Sequence, residues 1–121
     1  MKSPHHNEAL KALNKAKDSL ESAAYNVEGG FELAAVNRAY YTCYYCMTAL
    51  LYLVNAYAKT HQGTHAKFSE LYIRTGTFPA TTSEIISLLF EQRQAADYNL
   101  NADFTADEAE ALVEKAGLSL S

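Results

Sequence analysis

Arg93 and Asp97 stand four residues apart, with Tyr98 beside them. A guanidinium fork matches phosphate oxygens, so Arg93 is a candidate anion or phosphate clamp. The same spacing also fits an ion pair on a wet helix face, worth about 0.3–0.5 kcal/mol, and chemistry alone favours that pair. Arg38 begins an apolar stretch, where a lone cation extends its head to water or pairs with a carboxylate. His61 and His65 have the spacing at which a continuous helix can chelate a metal. Gly63 lies between them at an expected break, which favours a loop or capping role. Cys43-Tyr44-Tyr45-Cys46 has CxxC spacing. A redox pair needs a thiolate at a helix N-terminus, and zinc needs two further ligands, so these read as small core side chains. Tyr40, Tyr41, Tyr44 and Tyr45 form two pairs at four-residue steps. They offer a wide aromatic surface with hydroxyl tips, better suited to a packed helix or subunit interface than to base stacking. His5 and His6 receive no role, and neither a metal nor a cofactor is expected.

The elements that must position these residues are helical. Leu10, Leu13, Ala16, Leu20, Ala24 and Val27 recur at three- and four-residue steps, with Lys11, Lys15, Asp18 and Glu21 between them. Gly29-Gly30 closes this first helix. A second helix is expected from Phe31 to Lys59, roughly 40 Å long at ~1.5 Å per residue. It is apolar nearly all round from Cys43 to Val54, so several neighbours or a second subunit must cover it. Thr60-His61-Gln62-Gly63 is read as the break. A shorter helix follows over 65–75, with Phe68, Leu71 and Tyr72 inward and Gly76 as its stop. Thr81 and Glu84 fit a capping box that opens a fourth helix to Tyr98, and Thr105 and Glu108 repeat the pattern for a fifth ending before Gly117. No stretch alternates with period two, so the fold class is all-α: an up-and-down bundle of about five helices.

The composition agrees. A chain of 121 residues and 13.4 kDa is one domain, residues 1–121. Hydrophobic residues at 49% against 20% charged exclude disorder. A net charge of −4 is no generic nucleic-acid-binding charge. It is unevenly spread, +2 over residues 1–83 and −6 over residues 84–121, a dipole that can steer a charged partner or a second copy. Two close cysteines do not make a secreted disulfide scaffold, and the N-terminal residues do not resemble a signal peptide. Residues 39–58 carry no charge, but six tyrosines among them suit a buried helix better than a bilayer midplane. The expectation is a soluble, cytoplasmic protein with no membrane partner.

Asn37-Arg38-Ala39-Tyr40-Tyr41, His61-Gln62-Gly63 and Leu89-Phe90-Glu91-Gln92-Arg93-Gln94-Ala95-Ala96-Asp97-Tyr98, in that order and spacing, resemble the HEPN domain family. The resemblance runs from about residue 8 to 115. It implies a helical bundle that commonly dimerises and works beside a minimal nucleotidyltransferase, as a two-gene toxin–antitoxin pair. Active members of the family are metal-independent ribonucleases whose motif is an Arg, four to six residues, then a His, supplied by both subunits to one cleft. There His serves as general acid or base and Arg stabilises the phosphorane. The partner can inactivate such toxins by adding nucleotide to a tyrosine just beyond that His.

Arg93 matches the motif arginine, while positions 98–100 are Tyr, Asn and Leu, so the motif histidine is absent. Asp97, paired with Arg93, would stay ionised and would not replace it as an acid. His61 could reach the site from another loop, though no spacing rule places it there. Tyr98 is the nucleotidylation position by its proximity to Arg93. The leading expectation is therefore a homodimer that binds a partner nucleotidyltransferase, and RNA or a nucleotide, through Arg38, Arg93, Asp97 and Tyr98. The alternatives are an active ribonuclease toxin with Arg93 as its catalytic residue, and a non-catalytic dimeric interaction module joined through the tyrosine-rich helix.

Overall fold

The computed structural model describes residues 5–98 with Asp107, Glu108, Glu110, Ala111 and Glu114, and residues 96–98 by backbone alone. It is all-α. Four α-helices are present among the described residues, α1 (His6–Glu28), α2 (Glu32–Leu53), α3 (His61–Phe68) and α4 (Ala80–Tyr98), and there is no strand. The expected fifth helix lies largely outside the described residues; the five described positions within it are helical.

The α1–α2 hairpin is the frame. Its inner seam differs from the leucine stripe expected from the sequence. Ala9, Ala12, Ala16, Ser19 and Ala23 are the buried residues of α1, whereas Leu10 is 47% exposed. These small side chains recur in alternating steps of three and four, and Ala23, the last of them, joins Ala35, Val36 and Ala39 of α2 in the buried core. Small residues let helix axes approach closely, so the leucines flank the seam instead of filling it. Gly29 and Gly30 end α1 as expected. Gly30 takes φ +79°, its N–H donates to the Val27 carbonyl, and the Phe31 N–H donates to the Asn26 carbonyl.

α2 ends at Leu53, six residues before the expected end at Lys59. Asn55 is the reason. It sits in the left-handed region at φ 57°, its N–H donates to the Tyr52 carbonyl, and the Ala56 N–H donates to the Leu51 carbonyl. This is the same C-terminal device as at Gly30, built on the residue that tolerates it best after glycine. The break thus falls at residues 54–60, and the stretch read as the break begins a helix. Thr60 is the N-cap of α3, its Oγ1 accepting the Gly63 N–H at 2.9 Å. Gly63 is there because a Cβ would lie 2.9 Å from Thr60 Oγ1 and 3.1 Å from Ala58 Cβ.

α3 runs on into a π-helical turn, Ser69–Ile73, in which the Arg74 N–H reaches the Ser69 carbonyl. The extra residue in that turn rotates the side chains around the helix axis. Leu71, expected inward, is exposed, while Tyr72 Oη donates to the Leu50 carbonyl at 2.8 Å. α2 packs against α1, α3 and α4, which is how its nearly all-round apolar surface is covered. Val36, Tyr40, Met47, Leu51 and Leu89 are fully buried in that core. Among the described residues no helix is long and apolar enough to cross a membrane.

Candidate functional site

Arg38, Tyr41 and Tyr44 succeed one another at three-residue steps along one side of α2, and Tyr40 turns inward to the core. The capped start of α3 sets His61 against this side, with His65 one turn further. α4 brings Phe90 and Arg93 from the opposite direction. Helices that are remote in sequence therefore meet at Tyr40 and Tyr41.

The Tyr40 ring is fully buried, yet its hydroxyl meets two imidazoles, His61 Nδ1 at 2.8 Å and His65 Nε2 at 3.0 Å. His61 lies flat on Tyr44, ring centroids 4.2 Å apart at 12°, and edge-on to Tyr41 at 5.8 Å. Phe90 abuts His65 edge to face at 4.9 Å. The Arg93 guanidinium carbon is 5.5 Å from the ring centroids of both Tyr40 and Tyr41. Its Nη2 reaches Tyr41 Oη at 3.4 Å, the long end of hydrogen bonding. Arg38 lies over the same Tyr41 ring at 4.9 Å, its guanidinium donating to Asn37 Oδ1 at 3.1 and 2.8 Å. Two arginines thus share one aromatic ring.

The electrostatics arise from this packing. Burial, and then the positive charge of Arg93, hold His61 below the usual imidazole range. His65 is lowered by burial and then by His61. Burial raises the Tyr40 phenol well above its ordinary value, so it remains a hydroxyl. Near neutral pH the site is a pair of neutral imidazoles and two guanidinium groups on a half-buried aromatic wall. Such a surface suits an anion attached to a flat ring.

Of the residues expected to carry function, Arg38 and Arg93 are brought together at Tyr41. The side chains of Asp97 and Tyr98 lie outside the described residues, so the expected Arg93–Asp97 pair and the Tyr98 position are not described. His61 and His65 are corrected: they share one face of a continuous helix, and their nitrogens converge on the Tyr40 hydroxyl. Among the described residues no group of three His, Cys, Asp or Glu could hold a metal ion. Cys43 is buried and Cys46 half-buried, with no disulfide between them. Tyr40 is the residue that sequence reasoning missed as a site member. The signals available in the sequence were Thr60, a residue type that can cap a helix, and Asn55, one that can stop it.

A family model described as the HEPN domain matches residues 9–118. A protein of Methanocaldococcus jannaschii named "Putative toxin MJ0142" is 32% identical over 114 residues, covering 94% of this chain and 78% of that protein. A "UPF0332 protein" of Thermotoga maritima is 26% identical over 102 residues, 84% of this chain and 77% of its own length. A further UPF0332 protein, from Gloeobacter violaceus, is 26% identical over 102 residues, 84% of this chain and 81% of its own.

Proposed function

This chain belongs to the HEPN domain family, and from that premise we propose that it is the toxin-side half of a toxin–antitoxin pair that binds single-stranded RNA. The observation that carries the reading is the pair of guanidinium groups over Tyr41, with His61 stacked on Tyr44 alongside. Single-stranded RNA is recognised by cations that track its phosphates and by flat side chains on which its bases stack. Arg38 and Arg93 supply the first, and Tyr41 with the exposed edge of His61 supplies the second. The relative named as a toxin supports placing the chain in a toxin-type pair. In this reading the protein acts in the cytoplasm as a homodimer, its partner is a minimal nucleotidyltransferase, and Tyr98 is the residue that partner would modify.

The test is fluorescence anisotropy of a fluorescein-labelled single-stranded RNA over a series of salt concentrations. Arg38→Ala and Arg93→Ala should each weaken binding by roughly tenfold, the loss of one charge-assisted contact. Each should also lower the slope of log affinity against log salt by about 0.7. Unchanged affinity in both variants would leave the arginines with structural roles only.

A further inference from the structure

We infer that the polar pocket between α1 and α2, lined by Lys15 and Arg38, is a second phosphate subsite. It takes the phosphodiester next to the one held at Arg93 and leads single-stranded RNA across α2 from α4 to α1. The inference rests on the RNA-binding reading and adds to it a site on α1, a helix that reading does not use.

Helical spacing builds the pocket. On α1, Lys15, Asp18, Ser19 and Ser22 fall at i, i+3, i+4 and i+7, which is one face of a helix. On α2, Arg38 and Tyr45 stand at i and i+7, again on one face. These six residues enclose about 340 Å³. The Lys15 ammonium is 5.6 Å from the centre of the Tyr45 ring, and the Tyr45 and Tyr41 rings are 5.8 Å apart. Arg38 lies over Tyr41 and also lines the pocket. From α4 to α1 the order is therefore Arg93, Tyr41, Arg38, Tyr45 and Lys15, in which cation and ring alternate.

The lining is rich in donors. Among the described residues neither Lys15 nor Arg38 makes an ion pair, although Asp18 lines the same pocket. Arg38 Nε and Nη2 each donate to Asn37 Oδ1, which leaves three of the five guanidinium N–H groups for another acceptor. Ser22 Oγ accepts from Asn26 Nδ2 at 3.3 Å and keeps its own hydrogen to donate. Two cations against one carboxylate leave the pocket at +1, matched to the single negative charge of a phosphodiester. A site of this kind positions a strand and carries no sequence information.

Arg38 decides the occupant. Because it belongs both to the Tyr41 wall and to the pocket, a phosphate seated there lies one step along the strand from a base on Tyr41. A free anion gains the pocket alone. A phosphodiester of the same strand gains it as a second contact within one molecule, at a high effective concentration. Asp18 opposes the anion from the same helix face as Lys15. Lys17 and Glu21 stand on the opposite side of α1 and do not line the pocket, so their charges serve as controls.

The experiment follows binding of the full chain to fluorescein-labelled oligo(U) and oligo(C) RNA by anisotropy over a salt series, with inorganic phosphate titrated separately by calorimetry. Lys15→Met keeps the aliphatic stem and should weaken both RNAs alike, by about threefold to fivefold. It should also lower the slope of log affinity against log salt by about 0.7, with thermal unfolding unchanged. Asp18→Asn should tighten binding by about twofold. Lys17→Met and Glu21→Gln, equal changes of charge on the far side of α1, should leave affinity nearly unchanged. Combined with Arg93→Ala, which serves a different phosphate, the Lys15→Met loss should multiply; combined with Arg38→Ala, which shares one, it should fall short of the product. RNA binding that depends on Arg93 but is indifferent to Lys15, or that responds equally to Lys17, overturns the inference and leaves the binding reading standing. Lys15-dependent binding of inorganic phosphate, with RNA affinity indifferent to Lys15, overturns it in favour of a free-anion site. Absence of RNA binding overturns both.

Discussion

Replacing Tyr40 by phenylalanine removes one oxygen atom and two hydrogen bonds while leaving the ring in the core. The hydroxyl is held at 2.8 Å from His61 Nδ1 and 3.0 Å from His65 Nε2. An ordinary hydrogen bond contributes about 0.5–1.5 kcal/mol net, and a buried polar group left without its partner costs about 1–3 kcal/mol. His61 is half-exposed and can find water, so its loss falls at the low end. His65 is enclosed by Tyr40 and Phe90 and has less recourse. Together they give a destabilisation of about 2 kcal/mol. With 121 residues and an unfolding entropy of about 2.1 cal/mol/K per residue, each kcal/mol shifts Tm by about 4 °C, so a fall of about 8 °C is expected. Tyr72→Phe is the internal control, since it removes a single bond to the Leu50 carbonyl and should cost about 1 kcal/mol, or 4 °C. Calorimetry at pH 7.5 on both variants decides the matter. A Tyr40→Phe shift no larger than that of Tyr72→Phe would refute the idea that one hydroxyl holds both imidazoles.

Two further outcomes are open to simple measurement. Both His61 and His65 lie below their ordinary value near 6.5 in the folded chain, so the unfolded chain binds more protons as pH falls past that value. Their contribution is fully present above about pH 6.5 and is lost as pH drops toward the folded values; urea unfolding at pH 7.5 and 5.5 should show the decline, and His65→Gln should reduce it. Asn55→Gly should leave stability within about 0.5 kcal/mol, whereas Asn55→Ala, forced to φ 57°, should cost about 1 kcal/mol by the same method; equal effects would mean that the turn after α2 does not depend on the left-handed residue.

The helical class and the end of α1 were legible because glycine pairs and three–four spacing are local signals. The end of α2 was not. Asn55 stops the helix inside a run that is apolar on both sides, and hydropathy outweighs a single left-handed residue when windows are averaged. That one misplacement hid the site, because pushing the break onto residues 60–63 put Gly63 between two histidines that in fact share a helical face. The alanine seam was misread for a related reason: alanine carries little weight on a hydropathy scale, and neighbouring leucines matched the same period. The π turn left no sequence mark. Arg38 and Arg93 were found, Arg93 through its spacing and the family resemblance, but their meeting at Tyr41 needed the packing of α2 against α4. His61 could be guessed as a visitor to that site; its tether to Tyr40 could not.

The seam between α1 and α2 has a consequence for alignment. Ala9, Ala12, Ala16, Ser19 and Ala23 differ from one another by at most one hydroxyl. Sliding α2 along α1 by two turns would meet a nearly identical set of small side chains on α1, so that side of the seam sets a distance without choosing an offset. The choice falls largely to the three-residue connection, where the paired bonds of Gly30 and Phe31 leave no slack. Lengthening that connection would therefore do more than loosen a loop. It would free the ruler against which Arg38 and Tyr41 are placed, and carry them along α1 by whole turns while the core still looked well packed.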